Sequence, residues 1–350
     1  MDTNDSTLDP TEGASEYSLS RQVHLVERPI GHSRPSDFQV TGIHLAPVAV
    51  GEVRVRNEVF SVDPYMRGRM DDTESYVEPF GLGMCMTGRA IGTVVESRAD
   101  SLPVGARVVH QLGWRDIAQG AASVFQPVRH VPGVDAGAHM DVLGMTGLTA
   151  WIGLVRVARV ARGDTVFVSA AAGAVGTAAG QFARQLGAAQ VIGSAGSPAK
   201  VAMLTEECGF DAAFNYRDGD LGDWLAEVAP EGVDVYFDNV GGDHLRAALT
   251  ALRDHGRVAL CGSISTYDLE EPVPGPDNLD LAITKALTLQ GYRLGDNLDA
   301  YDEFVARVAP WVADGSIVRK VSSFDGVDSA VAAFLSMMRG ETTGKTIVRV

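Results

Sequence analysis

A glycine-rich turn between a buried strand and a helix constrains the fold of this 350-residue chain more than any other feature of its sequence. Thr165 to Ser169 is apolar and rich in β-branched residues, which predicts a strand buried on both faces. The motif Ala171-x-Gly173-x-x-Gly176 follows at once, and a pattern of helical period continues until Gly187, which is placed to end the helix. This order is the first half of a dinucleotide-binding unit.

The residues after this helix complete the unit. Gln190 to Ala195 predicts a second strand, and Ser197-Pro198 starts a second helix with a capping serine and a first-turn proline. Because Gly173 has no Cβ, the backbone can approach a pyrophosphate, and the N–H groups of the following helix favour that anion. Gly176 lets the helix pack closely on the strand, whereas Ala171 replaces the first glycine of the usual fingerprint. The alternative is that these small residues serve only tight packing of helix on strand.

The end of the second strand indicates which dinucleotide is bound. An NAD site usually places Asp or Glu there, to accept a hydrogen bond from the ribose 2′-hydroxyl. This chain has Gly193-Ser-Ala-Gly-Ser197 instead, and Lys200 follows. A carboxylate would repel a 2′-phosphate, whereas a lysine and small hydroxyl residues would hold one, so we predict NADPH. The alternative for Lys200 is a solvated side chain on the first turn of a helix.

The remainder of the chain is predicted to form two domains behind an N-terminal tail. Residues 1–20 are acidic and polar, which is typical of disorder. Residues 21–140 carry short alternating strands separated by Gly and Pro, and they predict a small, mostly antiparallel, barrel-like domain. Residues 141–309 carry at least four βα units and predict a doubly wound parallel sheet. Residues 310–350, with a strand near Val318, are expected to return to the first domain, and the fold class is α/β with this second, β-rich domain.

Composition excludes several classes of function. With 45 acidic and 29 basic residues the net charge is −16, which argues against nucleic acid or an anionic membrane as a partner. No apolar run has the length of a membrane span, and the first residues lack the basic and apolar regions of a signal peptide. The cysteines are far apart and the histidines are scattered, so we expect neither disulfides nor a metal site. A reducing, cytoplasmic setting is the corresponding expectation.

Motifs spread from about residue 21 to the end of the chain resemble those of one known family. In chain order they are Asp63-Pro-Tyr-Met-Arg-Gly-Arg-Met70, Leu143-Gly-Met-Thr-Gly-Leu-Thr-Ala150, Ala171-Ala-Gly-Ala-Val-Gly176, Asp238-Asn-Val-Gly-Gly242, Cys261-Gly-Ser-Ile-Ser-Thr-Tyr267, Gly275-Pro-Asp-Asn278 and Gly344-Lys-Thr-Ile-Val348. The chain is similar to the zinc-independent medium-chain dehydrogenases/reductases, in the branch of prostaglandin reductases, plant alkenal double-bond reductases and bacterial curcumin reductase. The first motif is close to diagnostic for this branch.

The resemblance implies a GroES-like catalytic domain, a Rossmann domain, and NADPH-dependent reduction of a carbon–carbon double bond conjugated to a carbonyl. It also implies a cofactor site that consists of Ala171, Gly173, Ala174, Val175, Gly176, Ser197, Lys200, Tyr216, Asn239 and Cys261. Within that site, Lys200 and Tyr216 match the contacts of the 2′-phosphate in the family. Thr342 stands where the family often has Asn, so the contacts at the nicotinamide or the phosphate could differ there.

The implied reaction needs a hydrogen-bond donor for an enolate. Hydride reaches the β-carbon, negative charge builds on the carbonyl oxygen, and a tyrosine hydroxyl can stabilise that charge and relay a proton to the α-carbon. The family favours Tyr267 for this role, at the carboxyl edge of the predicted sheet, with Tyr65 lining the pocket opposite. The alternative for each tyrosine is an aromatic ring packed under a loop with its hydroxyl in water. We interpret Arg67 and Arg69 as structural, with Asp63 as a ready partner.

Several functions and assemblies stay open from the sequence. A quinone reductase of the same superfamily would share the cofactor site, and a non-catalytic NADPH-binding protein would share the fold. Residues 266–278 have the length and composition of a lid, although an ordered surface loop fits nearly as well. Relatives are often homodimers, so we expect edge strands to pair across a two-fold axis. Nothing in the sequence identifies the natural substrate or the stereochemistry of hydride transfer.

Overall fold

The structure, a computed structural model, describes residues 17–350. The predicted N-terminal tail therefore lies outside the described residues as far as residue 16. Strand β1 (Leu19–Leu25) begins within the range 1–20, so the tail prediction extends too far into the domain. The Ser20 side chain explains this early start, because it is fully buried and its hydroxyl donates to the carbonyl of Ile117 at 2.7 Å.

Short antiparallel strands build the first domain. After β1 they are β2 (Phe38–His44), β3 (Glu52–Val62), β4 (Met84–Cys85), β5 (Ala90–Ser97), β6 (Arg107–His110), β7 (Ile117–Ala121) and β8 (Gln126–Pro127). Strand β1 pairs with β2 and β4, while β3, β5, β6 and β8 form a second sheet that β7 joins through β3. Phe60, Met66 and Trp114 are fully buried in the core of this domain. The predicted, mostly antiparallel domain is confirmed.

Parallel strands and helices alternate in the second domain. The strands are β9 (Thr165–Val168), β10 (Gln190–Ala195), β11 (Ala212–Asn215), β12 (Val233–Asp238), β13 (Leu252–Leu260) and β14 (Thr288–Gly291), and the helices are α1 (Met145–Ile152), α2 (Ala174–Gln185), α3 (Pro198–Glu206), α4 (Leu221–Val228), α5 (Gly242–Ala251) and α6 (Leu281–Thr284). The sheet order is β11-β10-β9-β12-β13-β14, and every neighbouring pair is parallel. The predicted doubly wound sheet is confirmed. Because the order reverses between β9 and β12, a crevice forms at the carboxyl ends of these strands.

The central position of β9 follows from its composition. Val166, Phe167 and Val168 are completely buried, as expected for a strand covered by helices on both faces. On one face Phe167 stacks on Tyr236 of β12, with 5.0 Å between the ring centroids. On the other face Val166 and Val168 join the apolar core that contains Phe182 of α2. Both faces of the strand are therefore held, and the end of β9 is a rigid support for the glycine turn.

The C-terminal segment returns to the first domain later than predicted. Helix α7 (Tyr301–Ala313) runs through the predicted boundary at residue 309, and Trp311 and Ile317 still pack on the core of the second domain. The strand predicted near Val318 is wrong. The Val318 N–H donates to Gln181 of α2 at 2.7 Å and its carbonyl accepts from the same amide at 3.0 Å, so a side chain satisfies the groups that a strand partner would use. We place the boundary near residue 318.

Beyond this boundary the chain completes the first domain. Strand β15 (Val321–Asp325) pairs in parallel with β16 (Lys345–Arg349), helix α8 (Ala330–Met338) lies between them in the chain, and β16 pairs antiparallel with β3. The loop that joins α8 to β16 reaches the second domain, where the Gly344 N–H donates to the carbonyl of Ala172 at 2.8 Å. This loop therefore ties the glycine turn to the first domain.

Candidate active site

The glycine turn explains why alanine can replace the first glycine of the fingerprint. The residue with a left-handed backbone is Ala170, with φ 45°, and Ala171 does not share that conformation. A Cβ at position 171 therefore causes no backbone strain. Gly176 is constrained in a different way, because a Cβ there would lie 2.3 Å from the Ala170 carbonyl oxygen and 2.7 Å from the Ala171 Cα. Glycine at 176 is what allows α2 to start directly against the turn.

The first turn of α2 offers its backbone to the crevice. Gly173, Ala174 and Val175 are half-buried, and the capping residue Gly173 provides no side-chain hydrogen bond to the helix. The N–H groups of a first helical turn have no partner within the helix and carry a partial positive charge, so this turn can hold an anion. A Cβ on Gly173 would meet only the Ala170 carbonyl oxygen, at 3.3 Å. This contact is tighter than an ordinary van der Waals contact, so glycine suits the position, and beyond it the space is free of protein atoms and open to a ligand.

Two cations lie at the adjacent edge formed by the ends of β10 and β11. Lys200 donates from Nζ to the carbonyl of Gly340 at 2.7 Å, and the Arg217 guanidinium lies 5.6 Å from the Tyr216 ring centroid. Burial lowers the pKa of Lys200, and the nearby charge of Arg217 lowers it further. Among residues 17–350, neither cation forms an ion pair with a carboxylate. Two such cations side by side are an incomplete arrangement that a phosphate dianion would complete.

Two predicted contacts at this edge have structural partners. The Ser197 hydroxyl accepts from the Lys200 backbone N–H at 3.4 Å, so it caps α3 as predicted. The Tyr216 hydroxyl lies against the backbone of Gly196, because a Cβ at that glycine would be 3.0 Å from the hydroxyl oxygen. Arg217 was not among the residues predicted for this edge. Its position directly after a strand end, next to the strand that precedes Lys200, is the signal that could have found it.

Three tyrosines line the crevice between the domains. Tyr65 follows β3, Tyr76 lies on the loop before β4, and Tyr267 follows β13. Burial raises the pKa of both Tyr65 and Tyr267, and the electrostatic influence of Tyr76 acts on both in the same direction. Tyr76 is therefore close to each of the two predicted catalytic tyrosines. It is 64% exposed and was missed, because an aromatic residue in a polar loop carries no specific sequence signal.

The Tyr267 hydroxyl lies over the carboxyl ends of the central strands. A Cβ placed on Gly262 would be 3.4 Å from this hydroxyl and 3.4 Å from the carbonyl oxygen of Asn239. Burial raises the pKa of Tyr267, while a backbone hydrogen bond with Ser263 opposes the shift. The phenol is therefore protonated at neutral pH and can donate a hydrogen bond.

Asn239 and Cys261, two of the predicted cofactor-site residues, directly follow β12 and β13, and part of their bonding capacity is already used. The Asn239 amide donates to the carbonyl of Ser169 at 2.8 Å, and Asp238 accepts from the N–H groups of Val240 and Gly241 at 2.9 and 2.8 Å. Burial raises the pKa of Cys261 to about 12, although a side-chain hydrogen bond with Tyr292 acts to lower it. Cys261 is therefore a neutral thiol, and Asn239 links the ends of β9 and β12.

The arginines of the first motif contact other groups of the protein, although their partners differ from the expected one. Asp63 pairs with Lys345 at 2.6 Å, and Lys345 is almost completely buried. Arg67 contacts the carboxylates of Asp71 and Asp268 instead. Arg69 lies over the ring of Phe80, 3.9 Å from its centroid. The expected Asp63 pairing is therefore wrong, because β16 delivers a buried lysine to that carboxylate.

Within residues 17–350 there is no group of three or more His, Cys, Asp and Glu side chains that could hold a metal ion. None of the helices in that part of the chain is long and apolar enough to cross a membrane. Thr342, which stands where the resembled family often has Asn, accepts a hydrogen bond from the Thr346 hydroxyl at 3.1 Å.

Comparison with known proteins agrees with this geometry. Residues 21–128 match the family described as the N-terminal domain of oxidoreductase, and residues 174–312 match the family described as zinc-binding dehydrogenase. A putative NADP-dependent oxidoreductase of Bacillus subtilis, YfmJ, is 38% identical over 94% of this chain and 97% of its own length. The NADP(+)-dependent 2-alkenal reductase of Nicotiana tabacum is 37% identical over 96% of this chain and 99% of its own.

A solved structure is equally similar. The crystal structure of CurA from Vibrio vulnificus in complex with NADPH superposes with a TM-score of 0.89 at 33% identity, and the match covers 94% of this chain and 99% of that one. The curated relatives also include the NADPH-dependent curcumin reductase of Escherichia coli, which is 33% identical over 95% of this chain and 97% of its own length. The chain therefore belongs to the medium-chain dehydrogenase/reductase family, in the branch of the alkenal, curcumin and prostaglandin reductases.

Proposed function

We propose that this protein reduces carbon–carbon double bonds conjugated to a carbonyl, with NADPH as the reductant. The main support is that two functional groups lie along the same edge of the sheet. One is the pair of cations Lys200 and Arg217, which have no carboxylate partner among the described residues, and the other is the protonated phenol of Tyr267. The cations suit a 2′-phosphorylated coenzyme, and the phenol suits an oxygen that becomes negative during the reaction. The named activities of the relatives from tobacco and Escherichia coli agree with this combination.

The residues present fit the phosphate groups of NADPH. The first turn of α2, from Ala174 to Gly176, binds the pyrophosphate through backbone N–H groups. Lys200 and Arg217 would hold the 2′-phosphate, with Tyr216 beside them. Bound there, NADPH supplies the hydride that reaches the β-carbon of the substrate. Asn239 holds the ends of β9 and β12 in place next to that site.

The chemistry that the protein adds is electrostatic. When the β-carbon accepts hydride, the carbonyl oxygen gains negative charge, and the Tyr267 hydroxyl donates a hydrogen bond to it. The same hydroxyl is a source for the proton that the α-carbon requires. Tyr65 and the more exposed Tyr76 line the opposite wall, and the largely buried ring of Tyr65 excludes water from the enolate. The neutral thiol of Cys261 does not compete as a nucleophile for the electrophilic substrate, because only a thiolate is strongly nucleophilic.

The direct test is a screen of NADPH oxidation over short alkenals, ring-bearing enones and dienones, with NADH as the coenzyme control. A benzoquinone in the same screen separates this function from quinone reduction, which the shared cofactor site also permits. Turnover with an enone and not with the quinone is the expected result. A lack of NADPH oxidation with every conjugated carbonyl would favour a non-catalytic NADPH-binding protein.

A single substitution tests the role of the phenol. In Tyr267→Phe we expect kcat to drop at least several-fold while the Kd for NADPH is retained, because only the donor to the enolate oxygen is lost. Stopped-flow measurement of NADPH oxidation and fluorescence titration of the coenzyme give the two quantities. An unchanged kcat would rule out Tyr267 as the donor.

The homodimer and the cytoplasmic location are further parts of this proposal. Strand β14 is an edge of the six-stranded sheet and pairs with β13 alone among the described strands. The segment that precedes it in the chain carries exposed apolar side chains, with Leu279 53% and Ile283 84% exposed. An unpaired edge next to an apolar surface suits pairing with a second copy across a two-fold axis. Sedimentation velocity of the purified protein distinguishes monomer from dimer.

A further inference from the structure

Asp268, the residue directly after Tyr267, connects the second domain to the first across the crevice. Its Oδ1 lies 3.3 Å from Nε of Arg67, and its Oδ2 lies 2.9 Å from Nδ1 of His32. Both partners belong to the first domain, whereas Asp268 belongs to the loop after β13. The Asp268 side chain is 19% exposed, so the pair with Arg67 is largely shielded from water.

Arg67 is a fixed anchor for this contact. Its side chain is 3% exposed, and it pairs with Asp71 of the same loop at 2.7 Å. It also donates to the carbonyl of Gly31 at 2.9 Å. Its burial and the bond to this backbone carbonyl hold the guanidinium within the first domain without relying on Asp71, and they leave its Nε edge directed towards Asp268. The first domain therefore presents a preformed cationic site to the loop of the second domain.

The contact with Asp268 is less well aligned than those other contacts. Nε of Arg67 and Oδ1 of Asp268 are both buried, and neither has an aligned hydrogen-bond partner in the part of the chain that the structure describes. A pair that is close but poorly aligned gives up part of the stabilisation of an ideal charge-assisted hydrogen bond. This property suits a contact that must open and close more than it suits a permanent structural bridge.

The position of the pair decides what it controls. Arg67 follows Tyr65 by two positions and Asp268 follows Tyr267 by one, so the ion pair sets the separation of the two walls that carry these tyrosines. A second contact supports the same closure, because the Glu270 carboxylate lies against the Gly31 backbone, 2.9 Å from where a Cβ would stand. Within 264–272, Asp268 is the one residue with ion pairs to described side chains.

We propose that Asp268 is a positioning residue that latches the Tyr267 loop onto Arg67, and thereby closes the crevice over the substrate. This inference rests on the proposed function, because it assigns the latch to the placement of the Tyr267 hydroxyl against the substrate carbonyl. With the latch open the crevice admits substrate and releases product. With the latch closed both tyrosine walls are in place and water is excluded.

Asp71 offers a matched control, because its carboxylate pairs with the same guanidinium but lies in the same domain as Arg67. In Asp268→Asn we expect kcat/KM for an enone to fall about 10- to 100-fold, since a displacement of a reacting group by about 1 Å costs this much. Asp71→Asn is expected to retain kcat/KM within about twofold. Both variants are expected to retain the Kd for NADPH, because the coenzyme phosphates bind elsewhere. Asp268→Glu keeps the charge and is expected to recover a large part of the loss.

A second measurement does not depend on turnover. Hydrogen–deuterium exchange of the backbone amides in 262–272 is expected to be faster in Asp268→Asn than in the wild type or in Asp71→Asn, because the loop opens more often. Equal kcat/KM in Asp268→Asn and the wild type would overturn the proposal, and so would equal losses in the Asp71 and Asp268 variants. If no enone is turned over by the wild type, the proposed function fails, and unchanged exchange in Asp268→Asn would still refute the latch separately.

Discussion

Removal of the Lys200 ammonium tests the coenzyme preference most directly. In Lys200→Ala the 2′-phosphate of NADPH loses one charge-assisted hydrogen bond, whereas NADH, which has no such phosphate, loses nothing. Arg217 remains as the second cation at the ends of β10 and β11. The change therefore separates the two coenzymes without affecting the pyrophosphate contacts at the first turn of α2.

The expected magnitude follows from the bonds exchanged. A hydrogen bond to a charged group contributes about 1.5–3 kcal/mol, and an ordinary neutral one contributes about 1 kcal/mol. Nζ of Lys200 already donates to the carbonyl of Gly340 at 2.7 Å, so binding of the phosphate competes with an existing bond. The net loss is then about 0.5–2 kcal/mol, which weakens NADPH binding about 2- to 30-fold. Arg217→Ala removes an exposed cation and should cost about 2- to 5-fold.

Fluorescence titration of both coenzymes gives the ratio of their Kd values, which is the quantity at issue. Arg293→Ala is the control, since it removes one positive charge from an exposed pair with Asp296 away from this site. The control should leave both Kd values unchanged. If the ratio of the NADH to the NADPH Kd in Lys200→Ala equals that of the wild type, the assignment of this edge to a 2′-phosphate is refuted.

Three further outcomes are expected. Tyr65→Phe should lower kcat/KM for an enone less than Tyr267→Phe does, because Tyr65 lines the wall without donating to the enolate, and steady-state kinetics of both variants compares them. Gly176→Ala places a Cβ 2.3 Å from the Ala170 carbonyl oxygen, so urea titration should show a free energy of unfolding lower by about 1–3 kcal/mol. Burial lowers the pKa of His110 to about 3 and that of His244 to about 4, from 6.5. The unfolded state therefore binds more protons than the folded state below pH 6.5. As the pH drops towards these values, the free energy of unfolding should fall by about 1.4 kcal/mol per pH unit for each histidine. Urea titrations at a series of pH values that show no such fall would contradict this.

Local pattern was sufficient for most of the second domain. The apolar run at β9, the capping serine before α3 and the terminal position of Gly187 each depend on neighbours within a few residues, and the structure has β10 at the predicted bounds Gln190–Ala195. Strand β3 (Glu52–Val62) is one of the short alternating strands predicted within residues 21–140, for the same reason. Such elements are specified by side-chain periodicity and turn chemistry, which the linear sequence carries in full.

The predictions that failed involved partners distant in the chain. Val318 is not in a strand because Gln181, far earlier in the sequence, satisfies its backbone groups. Asp63 pairs with Lys345 and not with its neighbours Arg67 and Arg69, because β16 returns to β3 and places a buried lysine there. Neither contact leaves a local trace, since the choice among several possible partners is made by the packing of the whole domain.

The sequence by itself determined the order of strands and helices, the absence of an acidic residue at the end of β10, and the family to which the chain is similar. Those properties follow from residue type and spacing alone. The tertiary structure decided which groups meet: Arg217 beside Lys200, Tyr76 near both Tyr65 and Tyr267, and Asp268 against Arg67. The reason is physical, because charges and hydroxyl groups act over a few ångströms of space, and the fold sets those distances by docking two domains whose motifs lie up to two hundred residues apart.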